Sequence, residues 1–183
     1  MTIEDAQPLV IALGGNAISM AGEQGTIEQQ FARTRETARV LCDVLDQGYR
    51  FVLTHGNGPQ VGNILRRVEI ASDQIYTIPL EVCVADTQAG MGYMIAQCLM
   101  NELTDRGASE SVTTIVTSVE VDSEDKAFAS PSKPIGPRLR QEEAQLHKQR
   151  DGWKVSEVAK ANSGVLYPAP GRERFLKSTP FED

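Results

Sequence analysis

Leu9-Val10-Ile11-Ala12-Leu13-Gly14-Gly15-Asn16 is a short apolar run that stops at two glycines. Arg50-Phe51-Val52-Leu53-Thr54 repeats the pattern further along the chain, running into the turn His55-Gly56-Asn57-Gly58 and Pro59. Runs this short, rich in β-branched residues and ended by glycine, are the mark of buried strands. Between them lies a helical pattern: Thr26 and Gln29 make a capping box, and Phe31, Thr34, Ala38, Leu41 and Leu45 recur at helical spacing up to Gly48, a C′ residue. After the second run, Pro59 suits a first helical turn, and Val61, Ile64, Leu65 and Val68 fall on one face. Strand, glycine turn, helix, strand, glycine turn, helix is the rhythm of an open, mostly parallel α/β sheet.

Working outward, a long helix is expected from near Asp86 to Arg106, ending at Gly107, and Val112 to Thr117 reads as a third strand. In that helix Met91, Tyr93, Met94 and Leu99 are expected to face the core. From Asp122 to Pro137 the chain turns acidic and then proline-rich, which excludes a central strand or a helix interior. Gln141 to Arg150 is a polar helix candidate, Trp153 and Val155 begin another strand, and Val165 to Tyr167 a further one.

Composition bounds the function. The chain of 183 residues has 18 Lys+Arg against 25 Asp+Glu, a net charge of −7, which argues against a nucleic-acid-binding surface. No apolar run has the length of a membrane helix, and three cysteines without metal-type spacing suit reduced thiols in a cytoplasm.

In a parallel sheet, ligands bind beyond the carboxyl ends of the strands. Gly14-Gly15-Asn16 and Gly56-Asn57-Gly58 both fall there, where glycine lets the backbone approach an anion and helix N-termini offer N–H groups. Two such turns suggest one small anionic ligand held between them; the alternative is that the glycines only close tight turns. His55 could orient a substrate or donate a proton, or simply cap the turn. Lys133, in Ser130-Pro131-Ser132-Lys133-Pro134-Ile135-Gly136-Pro137, is set in a stiffened backbone that would fix an ammonium against a transferring phosphoryl group, or it is a solvated surface lysine. Asp122, Glu124 and Asp125 read as solvated loop carboxylates, so no metal ligands are assigned.

Taken together, Ile11 to Ala17, Thr54 to Gly62, Pro79-Leu80-Glu81-Val82, Thr87-Gln88 through Gly92-Tyr93, Val119-Glu120-Val121-Asp122 and Pro131 to Pro137 resemble carbamate kinase, of the amino acid kinase family. The resemblance runs from about residue 9 to 137 and fades toward 170. It implies a three-layer α/β/α fold with a mostly parallel open sheet, in which 1–183 is a single truncated domain. This would be the acceptor-binding lobe, with 119–170 resembling the family's protruding subdomain and the C-terminal nucleotide-binding lobe lacking. It implies reversible phosphoryl transfer between ATP and carbamate, giving carbamoyl phosphate and ADP, with Mg²⁺. Gly14, Gly15, Asn16, His55, Gly56, Asn57 and Gly58 would form the substrate and phosphate site, and Lys133 would be catalytic. The expected partners are the small-molecule substrate and either a second copy in a homodimer or a separate chain supplying the nucleotide lobe. The alternative is a non-catalytic small-anion-binding or regulatory module derived from that half.

Overall fold

In the computed structural model, the described residues are 7–14, 17–18, 25–122 and 124–126, with 135–139, 142, 145–146, 149, 156–157 and 165–167. The elements follow in the order β1 (Leu9–Leu13), α1 (Ile27–Asp46), β2 (Phe51–His55), α2 (Gly58–Ile70), α3 (Leu80–Asp105), β3 (Ile135–Leu139), β4 (Ser156–Glu157) and β5 (Val165–Tyr167). The fold is α/β, and its first sheet is a parallel pair, β1 with β2.

The chain divides into two compact units, residues 1–57 with 88–116, and 58–87 with 117–183. In the first, α1 begins with the expected capping box. Thr26 Oγ1 accepts from the Gln29 N–H at 3.3 Å, and Gln29 Oε1 accepts from the Thr26 N–H at 3.0 Å. The helix closes in a Schellman motif: Gly48, at φ 86°, donates to the Leu45 carbonyl, and Tyr49 donates to Val44. α3 ends the same way, with Gly107 at φ 71° donating to Thr104 and Ala108 to Leu103. Ala38, Leu41 and Cys42 of α1 pack with Met91, Met94, Ile95, Cys98, Leu99 and Leu103 of α3, and with Leu13 of β1. Of the helix residues expected inside, Tyr93 is the exception: it is 62% exposed, its hydroxyl accepting a bond from Gln97 Nε2. Ile11, Phe51 and Leu53 lean on the same core, whereas Val10 and Val52, on the other face of the pair, are 73% and 54% exposed.

The second unit has its own small core, Val61, Leu80 and Cys83, with Ile64, Leu65, Val68, Ile78 and Val84 around it. That packing explains why α3 starts at Leu80, earlier than the sequence pattern suggests. Its first turns bury Leu80 and Cys83, while the Pro79 carbonyl accepts from Val82 and Cys83. In the second sheet the strand order is β3-β5-β4, antiparallel. Pro137 lies in β3, an edge strand, at the register shift between Ile135 and Leu139, where the ladder does not need the missing N–H. The polar segment 141–150 is helical where it is described, at 142, 145–146 and 149.

Two expectations are corrected. β2 runs one residue later than Arg50–Thr54. Val112–Thr117 is not a strand: Ala108 and Val112 lean on the first core, but Ile115 is 77% exposed, and no strand among the described residues pairs with the segment. β-propensity alone makes no ladder; a strand exists only against a partner.

Candidate anion-binding site

The register of the parallel pair sets the geometry. Leu13 lies opposite His55, so the chain leaves both strands at the same edge of the sheet, at Gly14 and at Gly56. The two glycine turns recognised in the sequence thus start side by side, one strand spacing of about 4.8 Å apart.

The first turn is closed by the Ala17 N–H donating to the Gly14 carbonyl at 3.0 Å. Its exit is pinned twice. Ile18 is buried in the core, and Thr37 of α1 donates from Oγ1 to the Ala17 carbonyl at 3.1 Å. Sequence reasoning missed this tether, because nothing in the spacing of Thr37 shows that one turn of α1 faces the loop. In the second turn His55 is half-buried and its Nδ1 lies 3.4 Å from the Gly56 carbonyl oxygen. Gly58 then opens α2, with Pro59 in its first turn.

The described glycines of these turns have no internal reason to be glycine. Gly14, Gly56 and Gly58 all avoid the left-handed region, and a Cβ built on any of them meets nothing within 4 Å. Glycines kept only to close tight turns are expected to show a positive φ, as Gly48 and Gly107 do. What the turns offer instead is open space beside peptide groups.

Gly15, Asn16 and Lys133 lie outside the described residues. Among the described residues no three His, Cys, Asp or Glu side chains gather as a metal site. The Asp122 carboxylate instead accepts the Glu124 N–H at 2.9 Å, a local turn. Nucleophilic chemistry by thiol is disfavoured too. Cys42, Cys83 and Cys98 are buried, and burial pushes each thiol up from its ordinary pKa. The described turns suit holding an anion by backbone groups.

No protein-family model matches the chain. Comparison with individual proteins is decisive. The carbamate kinase of Thermococcus kodakarensis is 46% identical over 166 residues, covering 88% of this chain and 52% of that protein. The carbamate kinase-like protein YahI of Escherichia coli is 40% identical over 173 residues, covering 93% and 54%. Among solved structures, carbamate kinase from Giardia lamblia bound to citric acid superposes with a TM-score of 0.81 at 35% identity, covering 90% of this chain and 53% of that one. The same enzyme bound to AMP-PNP gives 0.77, also at 35% identity, covering 91% and 52%. Fold and sequence therefore define an α/β chain built like part of the carbamate kinase structures. More particularly, it is a homologue of the carbamate kinases, and it spans about half the length of the curated relatives it matches. Among the described residues no helix is long and apolar enough to cross a membrane.

Proposed function

We propose that this chain provides the acceptor-binding half of a carbamate kinase-like phosphotransferase. In the reaction, a carbamate oxygen attacks the terminal phosphorus of ATP, the bond to the bridging oxygen breaks, and its electron pair leaves on ADP; carbamoyl phosphate is the other product. Peptide N–H groups of the turns at Gly14, Gly15 and Asn16 and at Gly56, Asn57 and Gly58 hold carbamate and the transferring phosphoryl group. Lys133 brings an ammonium to the charge that develops on the phosphoryl oxygens, which is where such reactions are accelerated. Mg²⁺ accompanies the nucleotide in this proposal, and residues 119–170 form the arm that carries Lys133.

The observation that carries the proposal is the pairing of Leu13 with His55, which starts two glycine turns side by side. The test is ATP formation from carbamoyl phosphate and ADP with Mg²⁺. With a nucleotide-binding half supplied, turnover that falls by about 10²–10³ in a Lys133→Ala chain is the expected result, the scale seen when one transition-state donor is removed. Binding of carbamoyl phosphate without turnover, even with that half supplied, would instead favour a small-anion-binding or regulatory module.

A further inference from the structure

The imidazole of His55 is not spoken for by the binding reading, which uses backbone groups. Its register partner, Leu13, is buried in the core between α1 and α3, so the ring lies on the face of the pair that those helices cover. From there Nδ1 approaches the carbonyl oxygen of the next residue, Gly56, at 3.4 Å. A carbonyl can only accept, so the contact is a hydrogen bond only when Nδ1 carries the proton. Gly56 meanwhile has an ordinary φ, and no side chain fills the space where its Cβ would be. Glycine puts no side chain of its own in the way of a turning peptide plane, and a carbonyl swung into the space between the turns would present a negative dipole to a bound anion.

We propose that His55 is a positioning residue: its Nδ1–H holds the Gly56 carbonyl against the ring and keeps that oxygen out of the anion's place. The inference rests on the binding reading above. It adds that the site is formed by a side chain that does not itself touch the phosphoryl group. It also fixes the tautomer. Neutral His55 carries its proton on Nδ1, the opposite of the form that imidazole prefers in water, and leaves Nε2 as the acceptor.

The test uses the full chain labelled with ¹⁵N, at a pH where the ring nitrogen shifts report neutral imidazole. The ring nitrogens of His55 are distinguished from those of His147, the other histidine, in a His147→Gln chain. An Nδ1–H signature is expected, and an Nε2–H signature overturns the inference. Titration with carbamoyl phosphate then follows the amide signals of Gly14, Gly56, Asn57 and Gly58. In the His55→Phe chain, which keeps a ring and loses the donor, binding is expected to weaken about tenfold, the scale of one lost hydrogen bond. His55→Asn places an amide donor near the Nδ1 position and is expected to return binding to within about threefold of the unsubstituted chain. Equal binding by the Phe variant overturns the role of His55 alone. No response from the unsubstituted chain overturns the anion site itself. The tautomer is read without any substitution, so the inference stays falsifiable even if the Phe variant does not fold.

Discussion

Glycines with different duties can be separated by one substitution each. Gly107 holds φ 71° at the end of α3, so Gly107→Ala is expected to cost about 1–2 kcal/mol in urea unfolding, the strain of a left-handed L-residue. Gly56 has an ordinary φ and open space at its Cβ position. Gly56→Ala is expected to leave stability unchanged or raise it by about 0.4–1 kcal/mol, because only the unfolded chain loses freedom, while binding of carbamoyl phosphate is lost. An equal loss of stability in both variants would assign Gly56 to the turn rather than to the ligand. The thiols report on the interior in the same way. Burial raises the pKa of all three, so the folded chain holds its thiol protons more tightly than the unfolded one. The stability that this contributes is complete below the unfolded thiol pKa of about 8.5 and is lost as pH rises beyond it. Cys42, Cys83 and Cys98 are expected to resist a thiol reagent in the native protein and to react together on denaturation.

At the scale of elements, local chemistry was the legible part. The Thr26–Gln29 box and the glycines after α1 and α3 are written in adjacent residues, and the structure uses them as read. Thr26→Ala is expected to lower unfolding stability by about 1 kcal/mol. It also removes a hydroxyl that, after the peptide N–H of Glu28, helps to hold the Glu28 carboxyl below its ordinary pKa. Pro137 shows the rule working in the other direction, since a residue barred from central strands was accommodated at an edge. What the sequence could not show was partnership. Val112–Thr117 has the composition of a strand and no ladder among the described residues, and α3 gained its first turns from packing with α2 that no local pattern announces. Gly14, His55, Gly56, Asn57 and Gly58 were legible because glycine turns at strand ends are local features. The tether from Thr37 to Ala17 was not, being a contact between residues far apart in the chain.

At the scale of the molecule, the first unit is fastened at one end by Arg106. Its guanidinium bonds Glu102 at 2.9 Å within α3, pairs with Asp43 at 2.8 Å and with Asp46 on α1, and donates to the Arg39 carbonyl at 3.1 Å. These carboxylates, Glu102 first, push its pKa up, so it stays charged at every accessible pH. Arg106→Gln is expected to lower the melting temperature, and added salt should narrow the gap between the two proteins, because partly exposed pairs are screened. A gap unmoved by salt would mean that packing of the arginine stem, rather than charge, fastens the helices. Val52 makes the contrast: already 54% exposed, it is expected to tolerate Val52→Thr within about 0.5 kcal/mol. The parallel register of β1 and β2 also decides where this sequence can lengthen or shorten. One residue added to the bend between Tyr49 and Arg50 leaves in place both the Schellman hydrogen bonds and the Arg50 carbonyl that accepts from Leu9. One residue deleted inside β2 turns the rest of the strand over, carries the imidazole to the bare face and leaves Gly56 out of step with Gly14. Length variation among functional descendants of this chain should therefore gather in the bend and spare the five residues before the second glycine turn.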